Sequence, residues 1–357
     1  MLTRKKVIKN GVFLLTIFLL TMFGVFRGED LQQMFEAIKG ADIRWLFLGI
    51  SLVVCFIWGE SFIIWYMLRS FRIDLKKRIC FLFSSVGFFF SCITPSASGG
   101  QPMQLYYMNK EKIPVPVSAV ILMIVTITYK LVLVVTGLGV LVFGREFTNC
   151  YLKGILPVYY LGLVLNIVCV GFMTVLVFHP CLAESILMMG ERCLKRLRLF
   201  QQIKMRRKKL QESMQTYRET AQYLKQHKKV LIVVIICTFL QRFALFAVTW
   251  MVYRSFGLSG MCMEDVVLLQ AVIAVSVDML PLPGGMGVSE TLFLKIFAPV
   301  FGTLLLPAMV LSRSLGYYSE LMISAVFTAA AQIYYSIMRG GKISKKSGKE
   351  ITNDRIL

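Results

Sequence analysis

Histidine is nearly absent from this sequence, in which only His179 and His227 occur among 357 residues. The nine cysteines lie mostly inside apolar stretches and form no Cys-x-x-Cys pair, so the ligand spacing of a metal site is missing. No P-loop, Gly-x-Ser-x-Gly motif or dinucleotide fingerprint occurs in a strand–turn–helix context. We therefore expect no metal, no cofactor and no catalytic residue, and we interpret the cysteines as small, reduced apolar side chains.

Acidic residues are also scarce. The sequence has 19 Asp and Glu but 40 Lys and Arg, which gives a net charge of +21. At the same time 57% of the residues are hydrophobic, and the mean hydropathy is +0.70. This composition is typical of a polytopic membrane protein. The basic residues cluster between the apolar runs, a pattern that suits an anionic inner leaflet. We therefore predict the bilayer, and not nucleic acid, as the partner of these charges.

Long apolar runs predict an all-α polytopic membrane protein with about six full transmembrane helices. The runs are 11–26, 45–68, 113–143, 155–178, 230–253 and 302–337. Basic residues at both termini and in the loops 69–78 and 179–229 place those segments in the cytoplasm. We divide the chain into one transmembrane domain, residues 1–338, and a basic cytoplasmic tail, residues 339–357.

The segment 180–229 is the main polar region within the transmembrane domain. It carries thirteen Lys or Arg between residues 192 and 229, and its apolar residues recur at helical spacing. This pattern predicts a basic amphipathic helix along or near the membrane. The helix either captures anionic lipid or serves only to set the topology.

Two interruptions of apolar segments are the most informative stretches of the chain. The first runs from Thr94 to Pro102 and the second from Leu280 to Glu290, and each places proline a few residues before a Gly-Gly pair. Proline removes a backbone donor and glycine destabilises a helix, so such a break persists in a membrane only where protein or water surrounds it. Paired breaks in two halves of a transporter mark a substrate site.

The predicted topology constrains both interrupted segments. Residues 79–112 must enter and return on the cytoplasmic side, whereas residues 266–301 must enter and return from outside. Two re-entrant broken-helix hairpins of opposite orientation satisfy this requirement, as in an inverted repeat whose breaks meet near mid-membrane. Two full double crossings satisfy it equally.

Several charges fall within or beside the apolar runs, where they are costly. Lys130, Arg242 and Arg313 are candidates to hold an anionic headgroup, or they form internal salt bridges. Asp278 and Glu290 flank the second break, and Glu290 either caps the next helix or acts in function. The predicted substrate-binding residues are Pro95, Ser96, Ser98, Gly99, Gly100, Gln101, Lys130, Arg242, Asp278, Pro281, Pro283, Gly284, Gly285, Gly287, Ser289, Glu290 and Arg313.

The two breaks resemble signatures of the lysylphosphatidylglycerol synthase transmembrane family, also called flippase-like. In the multiple peptide resistance factor this region is the N-terminal flippase half, and a separate soluble domain is the synthase. The resemblance implies a multi-pass protein of the bacterial plasma membrane that moves aminoacylated phosphatidylglycerol and contributes to cationic peptide resistance. We expect no synthase domain in this chain.

Three functional hypotheses remain open at this point. The first is a lipid translocase whose substrate is an anionic phospholipid and whose movement is downhill or ion-coupled, with Glu60, Asp278 or Glu290 as a possible proton carrier. The second is the membrane subunit of a phosphatidylglycerol lysyltransferase that needs a separate synthase partner. The third is a small-solute transporter or a membrane scaffold. The protein could form a homo-oligomer under each of these three hypotheses.

Overall fold

The computed structural model describes residues 31–144, 151–179 and 206–335. Within these ranges every regular element is helical and no strand occurs, so the all-α prediction is confirmed. Three predicted features lie wholly or partly outside the described residues: the first span at 11–26, the part of the basic segment before residue 206, and the tail at 339–357.

Thirteen helices follow one another in the described ranges. They are α1 Leu31–Lys39, α2 Ile43–Ser70, α3 Lys77–Cys92, α4 Gly100–Lys110, α5 Val115–Phe143, α6 Leu156–Phe178, α7 Arg206–Gln226, α8 Lys228–Ser255, α9 Met263–Val277, α10 Val288–Ile296, α11 Ala298–Phe301, α12 Leu305–Arg313 and α13, residues 319–335. Short 3-10 turns occur at Pro95–Ala97, Pro283–Gly285 and Gly302–Leu304, and a π turn at Ser314–Tyr318 joins α12 to α13.

Five helical segments among the described residues are long and apolar enough to cross a membrane. They are α2, α5, α6, α8 and the composite segment Ala298–Tyr335. At about 1.5 Å per residue, even the 23 residues of α6 exceed the roughly 30 Å hydrocarbon thickness. Large apolar side chains such as Leu161, Val168 and Phe172 are exposed on α6, as lipid-facing residues are. The short α3, α4, α9 and α10 do not meet the length requirement.

Two apolar cores lie one after the other along the bundle. On α2, Val53 and Phe56 belong to the first core, whereas Ile64 and Met67 belong to the second. The helices α5 and α8 are divided between the two cores in the same way. The boundary between the cores therefore crosses three long helices near their middles.

The helices α6 and α9 approach each other closely because a glycine lies at their crossing. A Cβ added at Gly162 would lie 2.7 Å from the Ser276 Cα and 3.0 Å from its carbonyl oxygen. One turn along α6, the Asn166 side-chain amide donates to the Val275 carbonyl at 3.3 Å. This crossing fixes α9, which leads directly into the second break.

The predicted amphipathic helix is present as α7 within the described part of the basic segment. Its buried residues Met214, Ala221 and Leu224 belong to the second apolar core, so protein and not lipid covers this apolar face. Tyr217 Oη donates to the Leu176 carbonyl at 3.1 Å, and Tyr223 Oη donates to the Ser70 carbonyl at 2.8 Å. The helix is thus docked against the ends of α2 and α6.

Candidate functional site

The first break is a tight turn between α3 and α4. Ser96 and Ala97 both have positive φ values, of 50° and 53°. Thr94 closes the turn, since its Oγ1 accepts from the Gly99 N–H at 2.8 Å and donates to the Phe90 carbonyl at 2.6 Å. A Cβ at Gly100 would lie 2.7 Å from the Gly87 carbonyl oxygen. The glycine therefore allows α4 to return directly against α3.

The second break repeats this design with glycines at the strained positions. Gly284, Gly285 and Gly287 have φ values of 57°, 66° and 85°, which L side chains rarely adopt. The Gly287 N–H donates to Glu290 Oε2 at 2.7 Å, so the predicted capping role of Glu290 is observed. A Cβ at Gly284 would lie 2.5 Å from Cζ of Tyr317, which packs against the turn.

The two breaks are in direct contact. Ser96 Oγ of the first break donates to the Leu280 carbonyl of the second at 3.2 Å. Tyr317 packs on Gly284 and donates its hydroxyl to the Cys92 carbonyl at 3.0 Å. Two interruptions that are about 180 residues apart in the sequence therefore form one structural unit.

A cavity of about 360 Å³ opens beside the joined breaks. Nine of the predicted site residues line it, namely Ser96, Gln101, Lys130, Arg242, Asp278, Gly284, Gly285, Ser289 and Arg313. Eight others lie in the breaks without lining the cavity, namely Pro95, Ser98, Gly99, Gly100, Pro281, Pro283, Gly287 and Glu290. The first group is placed to contact a bound molecule, while the second shapes and supports the turns.

The charged side chains of the cavity lie at the boundary between the two apolar cores. Lys130 and Arg242 are each about 20 Å from either end of their helices at 1.5 Å per residue. Glu60 lies about 15 Å from the nearer end of α2. The cavity therefore places ionisable groups midway along three membrane-length helices, where a charge is expensive without a partner or water.

Two of the three cavity cations form internal ion pairs. Lys130 Nζ lies 2.5 Å from Asp278 Oδ2, and the Tyr129 hydroxyl donates to the other oxygen of the same carboxylate. Arg313 Nε lies 2.8 Å from Glu290 Oε1, and its Nη2 donates to the Gly284 carbonyl at 3.0 Å. The salt-bridge alternative is therefore observed for Lys130 and Arg313, and both pairs hold the second break in place.

Arg242 has a different environment from the other two bases. Its guanidinium carbon lies 3.4 Å from the centre of the Tyr129 ring, and its buried Nε has no hydrogen-bond partner. Of the basic side chains that line the cavity in the described part of the chain, it alone has no carboxylate within 4 Å. A cation over an aromatic ring gains about 1–2 kcal/mol, and this contact uses none of the N–H donors of the guanidinium.

Two carboxylates share the surroundings of Arg242. Glu60 Oε1 accepts from the Gln104 side-chain amide at 2.6 Å, and Glu320 Oε1 accepts a long contact of 3.8 Å from Cys92 Sγ. Both carboxylates interact electrostatically with Arg242, and Glu320 also interacts with Glu60. Arg242 therefore acts on both acids, and Arg313, which is paired with Glu290, also acts on Glu320.

Several cavity residues were absent from the predicted site, and helical spacing could have found some of them. Gln104 lies one turn after Gln101 on α4, and Tyr317 follows Arg313 by four residues. Gln270, on α9, gives no such signal in the sequence because no predicted site residue lies one turn away from it.

A comparison with known families agrees with the apolar, membrane-length helices. A family model described as "Lysylphosphatidylglycerol synthase TM region" matches residues 7–324. No protein of curated function matches the chain. The match spans both breaks, every described helix through α12 and the first six residues of α13. The chain is therefore a multi-pass membrane protein that belongs to the lysylphosphatidylglycerol synthase TM region family.

Proposed function

We propose that this protein is a lipid translocase, in which the phosphate of an anionic phospholipid passes through the cavity beside the two breaks. The observation that carries the proposal is Arg242, a cavity cation with no carboxylate of the described residues within 4 Å. A guanidinium can donate two parallel hydrogen bonds to a phosphate. Lys130 and Arg313 are already neutralised, so Arg242 is the position at which an added negative charge gains most.

The size of the cavity supports a headgroup as the occupant. About 360 Å³ lies at the low end of the range for small-molecule pockets, so it suits a glycerophosphate headgroup and leaves the acyl chains in the bilayer. Ser96, Gln101 and Gln270 line the same cavity and can bond the hydroxyls of such a group. The charge is thereby shielded from hydrocarbon while the chains stay in it.

The proposed path requires the two breaks to be the tips of re-entrant hairpins. In this topology α3 and α4 enter and return from the cytoplasm, while α9 and α10 enter and return from outside. Both termini are then cytoplasmic, in a bacterial plasma membrane. The contact between Ser96 and the Leu280 carbonyl supports this arrangement, because oppositely oriented hairpins meet at their tips.

The family description supports phosphatidylglycerol-type lipids as the substrate class. These lipids carry a phosphate for Arg242, and an aminoacylated form also carries ammonium groups. Moving the aminoacylated form to the outer leaflet would reduce the negative surface charge that attracts cationic peptides. We propose that the protein contributes to resistance against such peptides in this way.

The experiment is leaflet exchange in proteoliposomes with fluorescent phosphatidylglycerol and its lysyl ester, followed by quencher accessibility. We expect the wild type to accelerate exchange and Arg242→Gln to slow it about tenfold or more, since a charge-assisted hydrogen bond contributes about 1.5–3 kcal/mol. The matched control is Arg254→Gln on the same helix, where the guanidinium stacks on Trp45 outside the cavity. No exchange by folded wild type with either lipid would refute the proposal, as would equal rates for the two variants.

A second candidate function is the membrane subunit of a lipid lysyltransferase, which the word "synthase" in the family description favours. A separate soluble synthase would then use the cavity as a lipid-presenting site. Lysyl-phosphatidylglycerol formed only when chain and synthase are reconstituted together, without any leaflet exchange by the chain alone, would select this function over translocation.

A further inference from the structure

The charges around the cavity do not balance. Lys130 and Asp278 neutralise each other, and so do Arg313 and Glu290. What remains is Arg242 with the two carboxylates Glu60 and Glu320. With every group ionised, the cavity therefore carries one net negative charge at the depth where a charge is most costly.

The two carboxylates differ from the paired acids because neither has a cation within ion-pairing distance among the described residues. Glu60 is held by the Gln104 amide at 2.6 Å, and Glu320 has only the weak Cys92 thiol at 3.8 Å. Both are attracted electrostatically to Arg242, and Glu320 is also attracted, more weakly, to the paired Arg313. When an anion binds to Arg242, it competes with both carboxylates for the same positive charge.

We propose that Glu60 and Glu320 share a site for one proton and that an anionic phospholipid crosses together with this proton. The proposal rests on the lipid translocase function. A phosphate that enters at Arg242 adds one negative charge to a cavity that already has one in excess, and one proton from the adjacent aqueous phase, bound to a carboxylate oxygen, restores the original charge. When the phosphate leaves on the other side, the positive charge of Arg242 is again available to the carboxylate, which releases its proton to that side.

The remaining ionisable groups facing these carboxylates are unsuited to carry the proton. Lys130 and the Tyr129 hydroxyl both bond to Asp278, so a proton on Asp278 would break an ion pair and a hydrogen bond together. Glu290 accepts from Arg313 and from a backbone N–H that caps α10, so its protonation would loosen the second break. Protonation of Glu60 or Glu320 breaks no ion pair.

Polar side chains continue from the carboxylates toward the end of the cavity predicted to lie outside. Thr249 Oγ1 donates to Gln270 Oε1 at 3.1 Å, and both side chains line the cavity. They lie about 10 Å from the ends of α8 and α9. On the other side, Gln101 donates to Thr126 beside Gln104. Polar side chains therefore lie on both sides of the two acids, where they can carry protons between the acids and water.

The test uses the full-length protein in proteoliposomes that contain fluorescent phosphatidylglycerol and a trapped pH indicator. For one proton per singly charged lipid, a gradient of one pH unit should sustain up to about a tenfold difference in lipid between leaflets. Transport should also be electroneutral, so an imposed membrane potential should have no effect. We expect Glu60→Gln/Glu320→Gln to abolish the proton flux and the response to the gradient while it still binds the lipid.

The matched control is Glu264→Gln, an exposed acid at the start of α9 outside the cavity, which should respond to the gradient as the wild type does. Lipid exchange that ignores the pH gradient, or follows a sodium gradient instead, would overturn the proton site while leaving translocation intact. Proton flux that survives in the double variant would overturn it too. Absence of any exchange by the wild type would refute both proposals.

Discussion

The substitution Gly284→Ala tests how tightly the second break is built against Tyr317. Gly284 has a φ of 57°, and an added Cβ would lie 2.5 Å from the Tyr317 Cζ and 2.8 Å from its hydroxyl oxygen. Gly257 offers a matched comparison, since its φ is 74° and no atom of the described residues lies within 4 Å of a Cβ built there. The two alanine variants therefore share the backbone strain but differ in the collision.

The expected magnitudes follow from these contacts. Left-handed backbone costs a residue with a Cβ about 1–2 kcal/mol, and the more restricted unfolded chain offsets about 0.4–1 kcal/mol of this. Gly257→Ala should therefore destabilise by about 1 kcal/mol. Gly284→Ala should add about 1–3 kcal/mol of overpacking and about 1 kcal/mol for the hydrogen bond from Tyr317 to the Cys92 carbonyl. Its total is about 3–5 kcal/mol.

The assay is unfolding in mixed micelles titrated with dodecyl sulfate and followed by tryptophan fluorescence. The Gly284→Ala variant should unfold at a clearly lower denaturant fraction than Gly257→Ala. In a Tyr317→Ala background, Gly284→Ala should cost little more than Gly257→Ala does in the wild type, because the colliding ring is gone. If the two single variants unfold together, or if Tyr317→Ala gives no relief, the described packing of the break is wrong.

Two other substitutions test the helix crossing and an ion pair in the same titration. Gly162→Ala places a Cβ 2.7 Å from the Ser276 Cα and should cost about 1–3 kcal/mol of unfolding free energy. Gly171→Ala on the same helix has no described neighbour within 4 Å and should be neutral or slightly stabilising. Equal losses of stability in the two variants would contradict the close crossing. Lys130→Met leaves the Asp278 carboxylate without its cation and should cost about 3–5 kcal/mol of unfolding free energy. The double variant Lys130→Met/Asp278→Asn should recover most of this loss. A double variant no more stable than Lys130→Met would contradict the pairing.

The long helices were predictable because their signal is local. A run of apolar residues long enough for the bilayer is visible in the sequence itself, and α2, α5, α6 and α8 begin and end within a few residues of the predicted bounds. The breaks were visible for the same reason, since proline and glycine act on the backbone at their own positions. The contact of Ser96 with the Leu280 carbonyl shows that the two breaks meet, while the opposite orientation of two re-entrant hairpins stays a prediction from the loop charges.

The roles of the membrane charges could not be read from the sequence. Lys130, Arg242 and Arg313 were equivalent candidates, because pairing depends on which carboxylate lies nearby in three dimensions. In the structure Asp278 and Glu290 neutralise two of them and leave Arg242. Which cations are paired and which one stays available is decided only when helices that are far apart in the sequence pack together.

The surroundings of the basic helix α7 could not be read from the sequence either. Its amphipathic pattern predicted a helix on the membrane, but an apolar face has the same sequence signal whether lipid or protein covers it. In the structure Tyr217 and Tyr223 bond to backbone carbonyls of α6 and α2, so protein covers that face. Periodicity establishes that a face is buried without identifying what covers it.

The most direct measurement is to locate a lipid headgroup on the protein by photo-crosslinking. A phospholipid with a photoreactive headgroup would be reconstituted with the wild type, and adducts would be mapped by mass spectrometry. The account predicts adducts at cavity residues such as Gln101 and Gln270, which disappear with excess unlabelled phosphatidylglycerol and are reduced in Arg242→Gln but not in Arg254→Gln. Adducts confined to outward-facing residues such as Val168 would contradict passage through the cavity.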